Sequence, residues 1–205
     1  MFTGIIYDTG RIKGARQKKG MYSLAIALIK PIIRPEKGMS VAVNGVCLTA
    51  SVIKGSKEFE ADMTAETALK TNLGKAKAGM KVNIELPLTA EKYLSGHIVQ
   101  GHVDCRGRVG ALEKREGNTI LNIKYPEEFG RYLAEKGSVA VDGVSLTAYN
   151  IKNDSFEVSV IPETLESTII KGYKKDVPVN LEFDIIGKYV ERFFETEKNK
   201  RTGKE

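Results

Sequence analysis

The 205-residue sequence has few cysteines and few histidines, and each scarcity excludes a kind of site. Cys47 and Cys105 are too few thiols for a disulfide framework, and they lack the clustered spacing of a structural zinc site. The two histidines, His97 and His102, are five residues apart, which would put them on opposite faces of a strand. Because no third ligand accompanies them, we expect no metal site.

Long apolar segments are also missing. No apolar run reaches the roughly 18 residues that a membrane-spanning helix requires. The opening residues MFTGIIYDTGRIKG have neither the charged start nor the apolar stretch of a secretory signal. We therefore expect a cytoplasmic protein that has no membrane partner.

The excess of positive charge is not patterned for nucleic acid. The formal net charge is +6 and the isoelectric point is about 9.1, but the lysines are scattered through apparent loops such as QKKG, GKAKAGMK and GYKKD. The aromatic residues, 7 Phe and 8 Tyr, do not interleave with these charges. The pattern favours a solvated lysine-rich surface, and we expect no nucleic-acid partner.

What the sequence does have is an internal repeat. The stretch SVAVNGVCLT at 40–49 returns as SVAVDGVSLT at 138–147, identical at eight of ten positions. The match continues, with a one-residue slip, from FEADMTAET at 59–67 to FEVSVIPET at 156–164. An internal repeat of this quality outranks any local signal, so the chain contains two copies of one structural unit.

The repeated unit has the periodicity of β-structure. Both copies alternate in hydrophobicity around an Asn-Gly or Asp-Gly pair, which is a strong hairpin signal. FEVSVI, TILNIKY and KVNIEL alternate in the same way, and about six short strands per copy suggest a small closed barrel. We predict an all-β fold with two tandem homologous six-stranded Greek-key-like β-barrels plus a C-terminal α-helix.

The predicted domain organisation follows from the repeat. The N-terminal barrel covers residues 1–88, a linker covers 89–97 and the C-terminal barrel covers 98–185. A helix at 186–198 has no copy in the first half, and residues 199–205 are expected to be a tail. An apolar stripe at helical spacing favours packing of this helix on another subunit, although packing on its own barrel stays open. The stripe consists of Ile186, Tyr189, Val190, Phe193 and Phe194.

The motifs MFTGII, NGVCLT, GHIVQGHVD, DGVSLT and IPETLESTI, in this order, resemble those of the riboflavin synthase family across residues 1–195. The resemblance implies that each barrel binds one 6,7-dimethyl-8-ribityllumazine and that the two molecules exchange a four-carbon unit. The products are riboflavin and 5-amino-6-(D-ribitylamino)uracil, in the last step of riboflavin biosynthesis, and no cofactor is needed. It also implies a homotrimer whose sites each hold two lumazines between barrels of adjacent subunits. An association with lumazine synthase stays open.

The two lumazines have different roles, because one donates four carbons and the other accepts them. Positions at which the repeat loses its symmetry are therefore candidate catalytic positions. Cys47 is replaced by Ser145 in the second copy, and His102 and Asp184 have no polar counterpart in the first. The resemblance implies that His102 shuttles a proton from the C7 methyl group, and that Ser40 and Cys47 activate a nucleophile. We take His102, Ser40, Cys47 and Asp184 as the catalytic candidates.

The same resemblance implies the residues that bind substrate. Glycines let the backbone approach a flat ring, Phe2 stacks on that ring, and segments that follow a strand bind the ribityl chain. From the N-terminal copy the candidates are Phe2, Gly4, Ile5, Ile6, Cys47, Leu48, Thr49, Asp62, Met63, Thr64, Ala65, Glu66 and Thr67. From the C-terminal copy they are Gly101, His102, Val103, Lys136, Ser145, Leu146, Thr147, Val160, Ile161, Pro162, Glu163, Thr164 and Leu165.

Simpler roles stay open for several candidates. A free Cys such as Cys47 is often a small buried apolar residue, and Glu66 and Glu163 also suit the first turn of a helix. Lys136 precedes a glycine, as solvated turn residues often do. The alternative function is a non-catalytic fluorescent protein that binds lumazine or flavin. Both copies keep the Gly, Leu-Thr and Glu-Thr elements, which favours an enzyme, a transferase, over such a carrier.

Overall fold

The computed structural model describes residues 1–18 and 20–202, which form two β-barrels and a C-terminal helix. The first barrel contains six antiparallel strands and closes on itself. Its strands are β1 (Asp8–Lys18), β2 (Met21–Ala27), β3 (Ser40–Val43), β4 (Val46–Ile53), β5 (Glu58–Met63) and β6 (Lys81–Glu85). A short helix α1 (Ala65–Lys70) and a 3₁₀ turn (Asn72–Lys75) separate β5 from β6.

The second barrel repeats this plan. Its strands are β7 (Cys105–Arg115), β8 (Asn118–Lys124), β9 (Ser138–Val141), β10 (Val144–Tyr149), β11 (Ser155–Val160) and β12 (Pro178–Phe183). Helix α2 (Pro162–Ser167) and a 3₁₀ turn (Ile169–Gly172) stand where α1 and its turn stand in the first barrel. The strand order β1-β2-β5-β4-β3-β6 recurs as β7-β8-β11-β10-β9-β12, so the predicted fold class is confirmed.

The repeated hairpins turn at the Asn-Gly and Asp-Gly pairs. Asn44 and Asp142 have φ values of 46° and 44°, and Gly45 and Gly143 follow with φ of 73° and 79°. Two successive residues with positive φ give the tight turn that matches the twist of the flanking strands. A Cβ built on Gly45 would lie 2.6 Å from the backbone nitrogen of Gly143, so the two hairpins meet tip to tip between the barrels.

Two extended segments outside the barrels also pair with each other. Phe2 and Val99 form an antiparallel bridge, with hydrogen bonds of 2.7 and 3.1 Å between their backbones. Both side chains are fully buried, and they pack with Ala42 and Ala140 in a cluster between the two barrel cores. The start of each repeat therefore contributes to the junction of the barrels.

The C-terminal helix α3 runs from Ile185 to Thr202. It extends past the predicted end at residue 198, so the first four residues of the predicted tail are helical, and residues 203–205 lie outside the described chain. Lys188 forms a 2.7 Å ion pair with Asp104, which attaches the first turns of the helix to the second barrel. Within the described residues, no helix is long and apolar enough to cross a membrane.

Candidate active site

The segments at the start of each repeat cross to the opposite barrel. The carbonyl oxygen of Gly4 accepts a 2.8 Å hydrogen bond from the backbone N–H of Ser145 in β10. In the equivalent contact, the carbonyl oxygen of Gly101 accepts a 2.8 Å hydrogen bond from the N–H of Cys47 in β4. The N-terminal barrel surface at Cys47 is therefore completed by Gly101 and its neighbours, and the C-terminal barrel surface at Ser145 by Gly4.

Both crossings depend on glycine. Gly4 and Gly101 have φ values of 78° and 81°, a conformation that side chains disfavour. A Cβ on either residue would also lie 2.5 Å from the Cβ of the opposing Ser145 or Cys47. In this chain the two glycines approach a strand of the opposite barrel, and their predicted approach to a flat ring stays a prediction.

A buried imidazole lies beside Ser145. The Nδ1 atom of His97 is 2.7 Å from the Oγ of Ser145, and the side chain of His97 is 7% exposed. Nε2 is the one fully buried side-chain nitrogen or oxygen in the described chain that has no hydrogen-bond partner. A buried polar atom without a partner costs free energy, so this nitrogen is suited to a group that arrives with a ligand.

The environment of His97 favours the neutral imidazole. Burial lowers its pKa below the ordinary 6.5, and the nearby charge of Asp184 opposes the shift. Asp184 also accepts a 3.0 Å hydrogen bond from the backbone N–H of Ile186 at the start of α3. A neutral imidazole in contact with a hydroxyl can accept or relay a proton.

The structure places His97 against Ser145 and within the electrostatic influence of Asp184, whereas sequence reasoning considered His97 only as a metal ligand. His97 lies in the segment predicted as the linker, outside both copies of the repeat, so a comparison of the copies does not include it.

The equivalent surface of the N-terminal barrel has different chemistry. Cys47 occupies the strand position of Ser145, since it pairs with Ala42 as Ser145 pairs with Ala140. Its side chain is half-buried, and the exposed His102 follows directly after the Gly101 that contacts it. The structure therefore brings the two predicted candidates Cys47 and His102 into one region.

Three polar side chains form a row across this barrel. Ser40 on β3 is paired with Thr49 on β4, and Thr49 is paired with Asp62 on β5. Residues paired across neighbouring strands lie on the same face of the sheet, so this row continues the surface on which Cys47 lies two residues before Thr49. Ser40 is thus one strand away from Cys47 rather than remote from it.

The two predicted Glu-Thr segments begin helices. The Oγ1 of Thr64 caps α1 by accepting a 3.1 Å hydrogen bond from the N–H of Thr67. Glu66 is exposed and forms a 2.7 Å ion pair with Lys70, and this contact lowers the pKa of its carboxyl group. Glu163 occupies the first turn of α2 and is exposed as well. The first-turn role holds for both glutamates, and their exposure leaves them accessible to a ligand.

Five predicted binding side chains are buried in apolar clusters instead. A strand alternates its side chains between two faces, so the residues next to exposed Thr49 and Thr147 point inward. None of these five side chains offers a surface to a ligand, and the predicted stacking of Phe2 on a ring is wrong. The buried side chains are Phe2, Leu48, Met63, Leu146 and Val160.

The remaining candidates lie at or near the surface. Ile6, Val103, Thr164 and Leu165 are half-buried, while Ile5, Ala65, Ile161 and Pro162 are exposed. A cavity of about 620 Å³ between the barrels includes only Leu165 of the predicted residues, and it lies at the buried polar groups Asn72 and Asp142. Apart from Leu165, the predicted residues therefore do not line this cavity.

Lys136 has a conformation that lysine seldom adopts. Its φ is 63°, and the equivalent residue of the first repeat is Gly38, with φ of 91°. The two match because each donates its backbone N–H to a β-strand carbonyl, at Ala148 and Ala50 respectively. A lysine kept in a glycine conformation is consistent with a functional side chain, and the side chain is exposed.

Metal ligands are not gathered anywhere in the part of the chain that the structure describes. No group of three or more His, Cys, Asp and Glu side chains is arranged to hold an ion. Cys105 is buried, and burial raises the pKa of its thiol to about 12.

Comparisons with known proteins agree with the repeat and the barrels. The lumazine binding domain family matches residues 3–87 and again residues 100–184. The chain is 40% identical over 198 residues to a riboflavin synthase of Mycobacterium bovis, covering 94% of this chain and 97% of that protein. It is 39% identical over 193 residues to a riboflavin synthase of Actinobacillus pleuropneumoniae, covering 94% and 89% of the two chains.

Solved structures share the double-barrel fold. LumP complexed with riboflavin superposes with a TM-score of 0.79 at 24% identity, over 89% of this chain and 99% of that one. LumP complexed with 6,7-dimethyl-8-(1'-D-ribityl) lumazine gives a TM-score of 0.78 at 22% identity over the same shares. These two likenesses concern the fold alone. The two matches to the lumazine binding domain and the full-length relatives show that the chain belongs to the riboflavin synthase family.

Proposed function

We propose that the chain is a riboflavin synthase. It converts two molecules of 6,7-dimethyl-8-ribityllumazine into riboflavin and 5-amino-6-(D-ribitylamino)uracil by transfer of a four-carbon unit. The two products together contain the same atoms as the two substrates, so the reaction needs no external oxidant or reductant. The full-length identity to riboflavin synthases supports this function and, with it, a transferase. A cytoplasmic location is part of the proposal.

The single observation that carries the proposal is that the two barrels have equivalent surfaces with different polar groups. Ser145 with His97 occupies one surface, and Cys47 with His102 occupies the other. Two equivalent surfaces can bind two molecules of one compound, and their unequal side chains can assign one molecule as donor and the other as acceptor. Bringing both substrates together converts a bimolecular step into one within a complex, which removes roughly 7–11 kcal/mol from the barrier.

A pair of equivalent surfaces on opposite barrels does not by itself face two lumazines toward each other. We propose a homotrimer in which the N-terminal barrel of one subunit faces the C-terminal barrel of the next. The exposed apolar residues of α3 support association, because Tyr189, Phe193 and Phe194 are each at least 65% exposed in the single chain. An association with lumazine synthase would be a further partner of that trimer.

The side chains suit complementary steps. The neutral imidazole of His97 can take the proton of the Ser145 hydroxyl, or of a water held there, as oxygen adds to one lumazine. His102 is exposed on the other surface, where it can accept a proton from the C7 methyl group of the second lumazine. Cys47 and Ser40 then provide polar contacts to the ring that lies beside them.

The test is a stoichiometric assay without cofactors. Purified protein is treated with a chelator, desalted and mixed with 6,7-dimethyl-8-ribityllumazine alone. Absorbance follows the loss of lumazine and the appearance of riboflavin, and chromatography quantifies the uracil product. We expect two lumazines consumed for each riboflavin formed, with one equivalent of the uracil.

The alternative carrier gives a different result. A non-catalytic lumazine-binding protein would change the fluorescence of the compound and shift its spectrum without forming riboflavin. Binding without turnover, in protein whose circular dichroism shows an intact β-fold, would overturn the proposed enzyme.

A further inference from the structure

Two buried glutamates occupy equivalent positions near the ends of the last strands. Glu85 on β6 is paired with Ala42, and Glu182 on β12 is paired with Ala140. Their exposures are 2% and 4%, and the Nζ of Lys92 lies 4.0 Å from Glu85, at the limit of an ion pair. A carboxylate removed from water in this way is costly unless hydrogen bonds replace the lost hydration.

The replacing hydrogen bonds all come from the crossing segments. Oε1 of Glu85 accepts from the N–H and the hydroxyl of Thr3, both at 2.7 Å, and Oε2 accepts from the N–H of Gly4 at 2.9 Å. Oε1 of Glu182 accepts from the N–H of Gln100 at 2.6 Å, and Oε2 accepts from the N–H of Gly101 at 2.9 Å. Each carboxylate therefore fixes two successive peptide groups.

The other side of each fixed segment faces the opposite barrel. Gly4 donates its N–H to Glu85 of the N-terminal barrel while its carbonyl accepts from Ser145 of the C-terminal barrel. Gly101 donates to Glu182 of the C-terminal barrel while its carbonyl accepts from Cys47 of the N-terminal barrel. A shift of either glycine would change the surface on the barrel that does not contain its glutamate.

We propose that Glu85 and Glu182 are positioning residues that act crosswise: each carboxylate holds the backbone segment that completes the lumazine surface of the other barrel. Glu182 thereby fixes His102 relative to Cys47, and Glu85 fixes Gly4 relative to Ser145. The part that these glutamates play in the reaction rests on the proposed function. The hydrogen bonds by which they hold the segments do not depend on activity.

The cysteines of the chain provide a direct readout. Cys47 lies under Gly101 and is half-buried, whereas Cys105 is buried with its pKa raised to about 12 by burial. Near neutral pH the full-length protein should therefore react with 5,5′-dithiobis(2-nitrobenzoate) mainly at Cys47, and mass spectrometry of the labelled peptide identifies the site.

The matched variants are E182Q and E85Q. Both remove one negative charge, and both place an amide NH₂ against a backbone N–H that had an acceptor, so each should release its segment. We expect E182Q to raise the labelling rate of Cys47 roughly tenfold and E85Q to leave it within about twofold of wild type. The conservative E182D should give a smaller increase than E182Q, because it keeps an acceptor that reaches the segment less well.

The same comparison can be made with the reporter thiol on the other barrel. The double substitution C47S and S145C moves the reporter thiol to the C-terminal barrel. There E85Q should accelerate labelling roughly tenfold, while E182Q should have little effect. Both Gln variants should also lower kcat/KM for lumazine in the wild-type background.

The crossed pattern decides the matter. The proposal would be wrong if each Gln variant accelerated labelling of the thiol on its own barrel, or if both variants accelerated labelling of both thiols alike. Either result would mean that the glutamates only stabilise the fold. Should a Gln variant fail to fold, the Asp variants are read in the same two backgrounds by the same criterion. A protein that makes no riboflavin but shows the crossed labelling would overturn the proposed function and would still support crosswise positioning by the two glutamates.

Discussion

Ser145 and Cys47 occupy equivalent strand positions but meet different neighbours. The hydroxyl of Ser145 contacts His97 at 2.7 Å, whereas Cys47 contacts Gly101, which the exposed His102 follows. Nε2 of His97 has no hydrogen-bond partner in the described chain and Nδ1 contacts a hydroxyl, so this pair is a candidate for proton transfer. Residue chemistry thus distinguishes two barrels that share one strand order.

If Ser145 and His97 act as one unit, their substitutions should not add. We expect H97Q and S145A each to lower kcat roughly 100-fold, and the double variant to lose little more than either. Losses that multiply in the double variant would contradict the pairing.

The pH–rate profile gives a separate test of His97. Because burial lowers the pKa of His97 below 6.5, its neutral form persists into mild acid. An acid limb of the profile that belongs to His97 should therefore fall below pH 6.5 and disappear in H97Q.

At the scale of elements, substituting a glycine of a crossing segment tests whether its close backbone contact with the opposite barrel matters. We expect G101A to lower the free energy of unfolding by about 2–4 kcal/mol, because it combines a strained φ with a Cβ 2.5 Å from Cys47. The matched control is G55A, whose φ is 67° but whose Cβ would meet no atom within 4 Å, so it should cost about 1–2 kcal/mol. Equal losses in urea unfolding would show that crowding against Cys47 is unimportant.

The strands and the double barrel were predictable because the sequence repeats itself and each copy marks its hairpin with Asn-Gly or Asp-Gly. The inward direction of Leu48 was also within reach, since a period of two places it opposite Cys47 and Thr49. The crossing of each starting segment to the opposite barrel was not predictable, because the two homologous barrels present the same sequence pattern to either segment. The barrel that Gly4 contacts is decided by tertiary contacts. One of them is the hydrogen bond from Gly4 to Glu85, a residue 81 positions later in the sequence.

At the scale of the molecule, the helix α3 presents an apolar surface that the single chain leaves exposed. We expect the double variant F193S and F194S to keep the double-barrel fold, as judged by circular dichroism, because both side chains are 65% exposed in the single chain, but to sediment as a monomer without turnover. R192S on the same helix should remain trimeric and active. Full activity from the monomeric variant would refute a site shared between subunits.

The junction between the barrels contains a buried acid that replaces an amide of the other repeat. Asp142 corresponds to Asn44, and its oxygens accept hydrogen bonds from Asn180 N–H at 2.8 Å, Asn72 Nδ2 at 2.9 Å and Tyr173 hydroxyl at 2.6 Å. Burial nevertheless raises its pKa from 3.8 to about 7, since no cation compensates the charge there among the groups that shift it. The acid therefore connects the association of the barrels to pH.

The sign of this connection is testable. The folded chain holds the Asp142 proton up to about pH 7 while the unfolded chain releases it near 3.8, so ionisation lowers stability as pH rises through this window, by at most about 4 kcal/mol. We expect D142N to remove that component, which appears as a smaller loss of unfolding free energy between pH 5 and pH 8 than in wild type. The mirror substitution N44D buries a second acid at the equivalent turn and should enlarge the loss. Urea unfolding of the three proteins at both pH values measures it, and equal losses in wild type and D142N would mean that Asp142 is already ionised at pH 5 in the folded chain.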